Sequence, residues 1–320
     1  MKVLVTGGAG FIGSNLVKSL IQDARVSAVK VLDNLETGSI KNLAELKVNS
    51  KFEFIEGDIR NYAICLGAAE GMDIISHQAA LGSVPRSVAD PLTTHEVNAT
   101  GTLNVFNAAR ENNIKRVVYA ASSSTYGDHP GLPKVEDKIG APISPYGITK
   151  LMNEIYAKVF ADLYHMEFIG LRYFNVYGPY QNPAGPYAAV IPLFIKLFLV
   201  DKSPVINGDG EHSRDFTYVE DVVQANLLAM FTESKDAVNQ VYNIAKGEKT
   251  SLNDLVSMLQ QITGKKIEAV HGQDRNGDIK HSLADISKAK KLLGYNPSTL
   301  PVDGLRKTFD WYKQYSTVFA

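Results

Sequence analysis

The stretch VLVTGGAGFIGSNLV, residues 3–17, joins a short apolar run to a segment with helical spacing through a glycine-rich turn. Gly7, Gly10 and Gly13 recur there at a G-x-x-G-x-x-G spacing. Glycines at such a turn let main-chain amides approach a pyrophosphate and let the helix pack closely on the strand, while the helix N-terminus favours the anion. The sequence therefore predicts a strand, a phosphate-binding turn and a helix at the start of the chain.

A carboxylate follows at the position that a dinucleotide requires. Asp33 ends the next apolar run, KVLDN, twenty residues after Gly13, where it can accept both hydroxyls of a ribose. It would repel a 2'-phosphate, and no arginine follows it directly. We therefore expect NAD rather than NADP. Asp58 and Ile59 follow the third apolar run and are expected to contact the adenine, although a simple strand cap would give the same pattern.

The first half of the chain alternates apolar runs with segments of helical spacing. The runs are KVLVTG, AVKVLDN, FEFIEGD, DIISHQA, RVVYAASS and FIGLRYFNVYG. Their near-continuous apolarity is typical of strands buried on both faces. The pattern predicts an α/β fold, a Rossmann-type doubly wound parallel sheet with a smaller α/β C-terminal substrate lobe. We expect the NAD-binding domain over residues 1–177 plus about 216–246, and the smaller substrate lobe over about 178–215 and 247–320.

Composition excludes several classes of protein. The net charge is −1 and charged residues make up 21% of the chain, which gives no electrostatic case for binding nucleic acid or a membrane surface. No apolar run is long enough to span a bilayer. The single cysteine, Cys65, cannot form an intrachain disulfide and fits a reducing compartment, so we expect a cytoplasmic protein. Histidines and carboxylates do not occur at metal-ligand spacing, and no metal site is expected.

Tyr146 and Lys150 lie four residues apart in SPYGITK, so on a helix they share a face. A tyrosine pKa of about 10 is too high for a base at neutral pH. A nearby ammonium, together with a nicotinamidium cation, would favour the phenolate. The pair therefore predicts a general base, although a surface helix pair would have the same spacing.

These motifs together resemble the extended short-chain dehydrogenase/reductase family, and they occur in the order that its nucleotide-sugar epimerases and dehydratases show. The resemblance covers essentially the whole chain and is closest to the UDP-N-acetylglucosamine 4-epimerases. The motifs are the glycine turn with Asp33, HQAALGSVPRS, AASSSTYGD, SPYGITK, LRYFNVYGP, GDGEHSRDFTYVEDV and RNGD.

The resemblance implies roles for matching residues around the cofactor. Ser122 matches the hydroxyl residue that bonds the sugar's 4-oxygen beside Tyr146, and Lys150 matches the lysine that holds the nicotinamide ribose. Because the cofactor is regenerated in each cycle, NAD is expected to stay tightly bound. The implied cofactor-binding residues are Gly7, Gly10, Phe11, Ile12, Gly13, Asp33, Asn34, Gly38, Asp58, Ile59, Gln78, Ala79, Ala80, Asn98, Tyr146, Lys150 and Tyr173.

The resemblance also implies a site for a UDP-sugar. Arg214 and Arg275 match arginines that grip the diphosphate, as the guanidinium fork suits that group. Asp278 matches the acceptor for the uridine ribose. The implied substrate-binding residues are Ser83, Ser123, Ser124, Asn175, Ala189, Val190, Asn207, Arg214, Arg275, Asp278 and Ser282.

Two places at which members of the family differ from one another predict the reaction and the substrate. Dehydratases carry an acidic pair or its near equivalent after the catalytic hydroxyl, whereas this chain has Ser123 and Ser124, which cannot supply that acid and base. We therefore expect 4-epimerisation through a 4-keto sugar. The hexose-only epimerases carry a tyrosine four residues beyond the aspartate of R-x-G-D, where this chain has Ser282. The smaller residue leaves room for an N-acetyl group, so UDP-N-acetylglucosamine is the expected substrate and UDP-glucose is expected to be a poorer one.

Other readings of the sequence remain open at this point. The chain could be an epimerase of UDP-glucose only, a dehydratase, or a decarboxylating or reducing enzyme on another nucleotide sugar. A non-enzymatic NAD-sensing protein would be expected to lack Tyr146 or Lys150, and both are present. The family commonly forms a homodimer through two helices per subunit, and residues 100–113 and 151–164 could supply them, although both could equally be core.

Overall fold

The structure, a computed structural model, describes residues 1–183, 188–273 and 280–315, in which strands alternate with helices. The strands are β1 (Lys2–Thr6), β2 (Ala28–Asp33), β3 (Phe52–Glu56), β4 (Ile74–His77), β5 (Arg116–Ser122), β6 (Glu167–Tyr173), β7 (Val176–Tyr177), β8 (Val205–Asn207), β9 (Ser213–Arg214), β10 (Thr217–Tyr218), β11 (Gln240–Ile244), β12 (Thr250–Ser251) and β13 (Val270–Gly272).

The longer helices lie between these strands, and none in the described ranges combines the length and apolarity needed to cross a membrane. They are α1 (Phe11–Gln22), α2 (Tyr62–Ala69), α3 (Val84–Ala89), α4 (Pro91–His95), α5 (Gly101–Glu111), α6 (Pro145–Tyr164), α7 (Val190–Leu199), α8 (Val219–Phe231), α9 (Leu252–Thr263), α10 (Ser287–Leu293) and α11 (Pro301–Tyr315). A π-helical turn over Glu96–Thr100 leads into α5, and 3-10 turns cover Ile40–Leu46, Ser123–Tyr126 and Lys235–Ala237.

Seven strands form one parallel sheet in the order β3, β2, β1, β4, β5, β6, β11. The chain winds outward from β1 in one direction and from β4 in the other, so the strand order reverses between these two neighbours. Ligands of open α/β sheets bind beyond the carboxyl ends of the strands at such a reversal. The predicted α/β fold with a doubly wound parallel sheet is confirmed.

Alternate side chains of the strands enter two separate cores. Val5 and Val31 pack with α1 and α8 on one face, whereas Leu4 and Leu32 pack with α2, α5 and α6 on the other. Because both faces are covered, most positions of these strands are apolar, with Lys30 in the middle of β2 as an exception. The polar groups that follow the strands are thereby confined to the carboxyl edge.

The sixth apolar run, FIGLRYFNVYG, is not one strand as expected. β6 ends at Tyr173, and the separate short strand β7 pairs with β10 outside the main sheet. Asn175 lies between them at φ 34°, a left-handed conformation that turns the chain out of the sheet. The later strand β11 joins the main sheet beside β6.

A third and smaller core lies beyond the carboxyl edge of the sheet. Helices α7, α9 and α11 supply its apolar side chains, among them Phe194, Leu259 and Phe309. Short strand pairs, β12 with β9 and β13 with β8, join these helices to the rest of the chain. This arrangement confirms the smaller α/β lobe and sets it against the edge at which ligands bind.

Candidate functional site

A cleft of about 500 Å³ opens at the carboxyl ends of β1, β2, β4 and β5. It runs from the glycine turn to Ser122, Tyr146 and Lys150, so the predicted cofactor and catalytic residues meet in one cavity. The predicted residues that line it are Gly7, Gly10, Phe11, Ile12, Gly13, Asp33, Asn34, Asp58, Ile59, Gln78, Ala79, Ala80, Ser83, Ser122, Ser123, Tyr146, Lys150, Tyr173 and Asn175.

The glycine turn fits a ligand that approaches the main chain closely. Gly7 has φ 70°, a left-handed conformation in which a side chain is strained. A Cβ on Gly13 would overlap the main-chain oxygen of Gly7, because α1 starts directly against the turn. The side-chain-free surface at the N-terminus of α1 is therefore suited to a pyrophosphate, as the sequence predicted.

Asp33 is held rigidly at the end of β2. One carboxylate oxygen accepts a hydrogen bond from the Ala9 amide at 2.9 Å, and the other accepts from the Leu35 amide at 2.8 Å. The side chain is nearly buried, and this burial raises the pKa of Asp33 above its usual value, while the two amides oppose the rise. The carboxylate thus couples the glycine turn to the end of β2 and keeps acceptor capacity for ribose hydroxyls.

Asp58 is already engaged by protein groups. The Arg60 guanidinium donates to both of its carboxylate oxygens, and the Asn34 amide donates to one of them at 2.9 Å. These bonds lower the pKa of Asp58 to about 2. Ile59 next to it is buried, and its main-chain oxygen accepts from Cys65 and Asn104. The segment is therefore a fixed wall of the cleft.

The serine run ends β5 and leads into a 3-10 turn. The Ser122 hydroxyl accepts a hydrogen bond from the Ser124 amide at 3.1 Å and, like Tyr146, lines the cleft. Tyr146 lies in the first turn of α6, since Pro145 begins that helix and Ser144 caps it by accepting from the Gly147 amide. Burial raises the pKa of Tyr146, and the Ser122 hydroxyl lowers it.

Lys150 lies one helical turn after Tyr146 on the same face of α6, as the spacing predicted. Its ammonium is 5.9 Å from the centre of the Tyr146 ring and donates to the main-chain oxygen of Ala120 at 2.8 Å. Burial lowers the pKa of Lys150 to about 8, and the Glu154 carboxylate opposes that shift. The positive charge of Lys150 is therefore stabilised by neighbouring protein groups rather than by hydration.

A buried polar chain beneath the cleft is a feature that the sequence analysis missed. His77, at the end of β4, lies between the Thr6 hydroxyl at 2.7 Å and the Thr102 hydroxyl at 2.9 Å. Because the Thr102 hydroxyl donates to the Asn98 main-chain oxygen, the Nε2 of His77 carries the proton and its Nδ1 accepts from Thr6. Burial lowers the pKa of His77 to about 3, so the imidazole is neutral at physiological pH.

Tyr173 and Gln78 are joined by a residue that no sequence pattern marked. Asn226, buried in α8, donates to the Tyr173 hydroxyl at 2.9 Å and accepts from the Gln78 amide at 3.0 Å. Both contacts bridge long stretches of chain, and neither follows from periodicity. The three side chains form a polar floor on the α8 side of the cleft.

A second cleft, of about 420 Å³, adjoins the first. Asn175, Val176 and Gln181 line both, so the two are continuous. The Gln181 side-chain oxygen is buried and has no hydrogen-bond partner among the described residues, a second feature that sequence reasoning missed. The predicted substrate residues in this cleft are Asn175, Ala189, Val190, Asn207 and Arg214.

Asp215 organises the wall between these two clefts. Its main-chain oxygen accepts from the Asn175 amide at 3.1 Å, and its fully buried carboxylate accepts from the amides of Lys246, Gly247 and Ala284. Burial raises the pKa of Asp215 to about 6 against these hydrogen bonds. The carboxylate thereby joins the segment next to Arg214 to residues 246–247 and to Ala284. No sequence pattern identified this role of Asp215.

Several predicted site residues lie outside these clefts. Asn98 is fully buried in the π-helical turn, where it bonds both main-chain groups of Leu81 and approaches Thr149. Gly38 packs against Ala9 behind the glycine turn, and Ser124 lies in the 3-10 turn. Ser282 pairs with Ser213, beside Arg214, but lines neither cleft. Arg275 and Asp278 lie outside the described residues.

Comparison with known proteins agrees with this geometry. The family model described as "NAD dependent epimerase/dehydratase family" matches residues 3–245. The chain belongs to this family. The resemblance to the extended short-chain dehydrogenase/reductases is thereby confirmed, and so is NAD as the cofactor.

Relatives within the NAD dependent epimerase/dehydratase family match nearly the whole chain. A protein of Methanocaldococcus jannaschii named putative UDP-glucose 4-epimerase is 38% identical over 313 residues, which cover 97% of this chain and 98% of the relative. A solved UDP-N-acetylglucosamine 4-epimerase of Methanobrevibacter ruminantium, in complex with UDP-N-acetylmuramic acid, has a TM-score of 0.92 at 39% identity and covers 98% of each chain.

A third relative carries a different sugar in its name. The solved UDP-glucuronic acid 4-epimerase of Bacillus cereus, in complex with UDP-glucuronic acid and NAD, has a TM-score of 0.90 at 35% identity and covers 98% of this chain and 99% of its own. These three relatives thus share the 4-epimerase name and differ in the sugar named.

Proposed function

We propose that this chain is a UDP-sugar 4-epimerase that interconverts UDP-N-acetylglucosamine and UDP-N-acetylgalactosamine through a 4-keto intermediate, with UDP-glucose as a second substrate. The observation that carries the proposal is the cluster of Ser122, Tyr146 and Lys150 in the first cleft, with the Lys150 ammonium 5.9 Å from the centre of the Tyr146 ring. It lies where the two continuous clefts bring a dinucleotide and a second ligand together. The names of the relatives support the same reaction class.

In this mechanism Tyr146 takes the proton of the sugar's 4-hydroxyl, and Ser122 holds the same oxygen in place. The Lys150 ammonium lies near enough to favour the phenolate form of Tyr146. NAD, when bound, would be held by the glycine turn and Asp33 and would supply a reversible hydride acceptor for C4 of the sugar. The protein therefore supplies orientation and proton transfer, and consumes no cofactor.

The second cleft is the proposed site of the UDP part. Arg214 lines it and offers a guanidinium fork to the diphosphate, with Arg275 expected to act with it and Asp278 expected to hold the uridine ribose. The unpartnered oxygen of Gln181, at the junction of the clefts, is suited to accept from a sugar hydroxyl. We accordingly keep the NAD-binding domain at 1–177 plus about 216–246, and the UDP-sugar lobe at about 178–215 and 247–320.

Elimination of water is disfavoured by the groups next to Ser122. Ser123 lines the cleft, and its hydroxyl, like that of Ser124, can hydrogen-bond a substrate oxygen or an acetamido group. Neither hydroxyl can serve as the acid or base that elimination across C5 and C6 needs. The side chains therefore support epimerisation over dehydration.

Ser282 is proposed to set the size of the substituent at C2. Its main-chain amide donates to the Ser213 oxygen at 3.1 Å, which holds it next to Arg214. A serine at this point leaves more room for an N-acetyl group than the tyrosine of the hexose-only epimerases would. UDP-glucose still fits, with some polar groups of the pocket left unpaired.

We also propose a homodimer and a cytoplasmic location. Apolar side chains project into solvent from one side of α6 and from the short helices α3 and α4 packed against it, as a partner-covered face would require. They are Val88, Leu92, Ile148, Ile155, Val159 and Leu163. The apolar residues of α5 are buried or partly buried, so α6 contributes more of this face than α5 does.

The proposed function is tested by incubating the purified protein with UDP-N-acetylglucosamine or UDP-glucose, without added cofactor, and resolving the C4 isomers by NMR. We expect both sugars to reach an equilibrium mixture, the N-acetylated one faster. Failure of both to interconvert would refute the epimerase.

A further inference from the structure

A buried ion pair joins strand β6 to α6, the helix that carries Tyr146 and Lys150. The Arg172 guanidinium of β6 donates from Nε to Glu154 Oε1 at 2.9 Å and from a terminal nitrogen to Oε2 at 2.7 Å. Its side chain is 4% exposed and that of Glu154 is 9% exposed. The attraction within such a pair is largely offset by the loss of hydration, so stability alone is a weak reason for its presence.

Glu154 lies on the same face of α6 as Tyr146 and Lys150. Tyr146, Lys150 and Glu154 follow at four-residue intervals, so they share one face of the helix in that order. Burial removes water from the Lys150 ammonium, and the Glu154 carboxylate is the group that opposes the resulting fall in the pKa of Lys150. Lys150 therefore has a negative partner on its own helix, one turn further from the cleft.

Arg172 fixes Glu154 from the neighbouring strand. Its remaining terminal nitrogen donates to the Glu136 main-chain oxygen at 3.0 Å, and its guanidinium lies 4.8 Å from the Tyr126 ring centre. The Tyr126 hydroxyl in turn donates to Asn243 of β11 at 2.6 Å. The carboxylate of Glu154 is thus held in one orientation by groups from β6 and from the segment between β5 and α6.

The other ionisable groups around Lys150 do not carry a compensating charge at neutral pH. His77 of β4 is neutral, because burial lowers its pKa to about 3. Tyr119 of β5 faces the Glu154–Arg172 pair, and burial raises its pKa well above the usual value. Burial also raises the pKa of Tyr126, to about 12. Among these neighbours Glu154 is the negative group, and Arg172 is the cation that orients it.

We propose that Glu154, oriented by Arg172, is a positioning residue that keeps the Lys150 ammonium charged and in place beside Tyr146. The inference deepens the proposed function and rests on it for the roles of Lys150 and Tyr146. Glu154 acts through Lys150 and does not touch the substrate. Its charge, more than its contribution to packing, is what the site requires.

The test follows the Tyr146 phenolate directly in Glu154→Gln. The phenolate is measured by absorbance near 295 nm, as the difference between each protein and its Tyr146→Phe counterpart during a pH titration of the protein as purified. With NAD retained, the nicotinamidium cation would favour the Tyr146 phenolate at a pH at which Lys150 is still partly charged. Loss of the Glu154 charge lowers that charged fraction of Lys150, so the Tyr146 phenolate should appear at a higher pH. The kcat at neutral pH should fall while the KM for the UDP-sugar stays unchanged.

Three further variants separate charge from structure. Glu154→Asp keeps the charge and should restore the titration of Tyr146 close to that of the original chain. Glu167→Gln breaks a more exposed Arg–Glu pair, with Arg116, at the opposite end of β6, and should leave the titration unchanged. If Glu154→Gln does not fold, Glu154→Gln combined with Arg172→Gln leaves two neutral amides and should raise the titration pH in the same direction.

The titration needs no substrate, so it is independent of the proposed reaction. An unshifted Tyr146 titration in folded Glu154→Gln, or an equal shift in Glu167→Gln, would overturn the positioning role even if the chain is an epimerase. A shifted titration in a protein that interconverts no UDP-sugar would support the role of Glu154 and refute the proposed function.

Discussion

The Lys150 ammonium donates a hydrogen bond to the main-chain oxygen of Ala120, and the two atoms are 2.8 Å apart. Ala120 belongs to β5 and precedes Ser122 by two residues, so this bond ties α6 to the strand that carries the serine run. Ser122 and Tyr146, which line the same cleft, come from these same two elements. The geometry of the proposed proton transfer therefore depends on the contact between one helix and one strand end.

Replacement of Tyr146 by Phe removes the proposed base and should leave the fold intact. We expect kcat to fall by about 10²–10⁴-fold, because the positioned proton acceptor is lost. Binding of UDP, measured by calorimetry, should be unchanged. Tyr164→Phe, which removes a hydroxyl from the exposed end of the same helix, should retain full activity. Turnover at the original rate in Tyr146→Phe would refute the role of this tyrosine.

Gly13→Ala tests the cradle at the start of α1. The new methyl group would overlap the main-chain oxygen of Gly7, so we expect the protein to lose more than about 2 kcal/mol of unfolding free energy and to retain no bound NAD after purification. In Gly67→Ala the methyl group meets no atom within 4 Å. That control in α2 should gain about 0.5–1 kcal/mol, measured by denaturant unfolding. Full NAD content in Gly13→Ala would contradict the assignment.

His77 makes the fold sensitive to acid. The unfolded chain binds a proton at His77 below pH 6.5, whereas the folded chain does so only below about pH 3. The stability that neutral His77 contributes is therefore present above pH 6.5 and declines as the pH falls towards 3. The unfolding free energy relative to His77→Gln should fall by about 2 kcal/mol between pH 6.5 and 5. The exposed control His95→Gln should show no such change relative to the original chain, and a flat difference for His77→Gln would contradict the buried neutral imidazole.

Ser282→Tyr tests the proposed size gate. A tyrosine beside Arg214 should lower kcat/KM for UDP-N-acetylglucosamine by at least about tenfold more than for UDP-glucose, since only the former has the larger C2 substituent. Both constants are measured by coupled assay or by NMR of the isomers. The matched control, Ser257→Tyr, adds the same side chain to the exposed face of α9. An equal loss on both sugars would count against a gate at this position.

The parts of the site that depend on local sequence were predictable. The glycine turn, Asp33 at the end of β2, and the Tyr146–Lys150 spacing each follow from a few consecutive residues and the geometry of one strand or helix. The sheet was predictable for the same reason, because buried parallel strands have a distinct apolar pattern. FIGLRYFNVYG was assigned to one strand because periodicity cannot detect the left-handed turn at Asn175.

The parts that depend on tertiary contacts were not predictable. Asn226 reaches Gln78 across 148 residues, and His77 reaches Thr6 across 71. Asp215 is flanked by motif residues, yet only the fold brings the amides of Lys246 and Ala284 to its carboxylate. No spacing rule identifies the partner of a buried polar residue when that partner lies on another element.

The central claim is a reversible oxidation at C4 within one active site. It is tested most directly with UDP-N-acetylglucosamine carrying deuterium at C4, incubated with the purified protein in ordinary water without added NAD. We predict UDP-N-acetylgalactosamine that retains deuterium at C4, because the same hydride leaves and returns. A product in which hydrogen has replaced the deuterium, or the absence of any C4 isomer, would contradict this account.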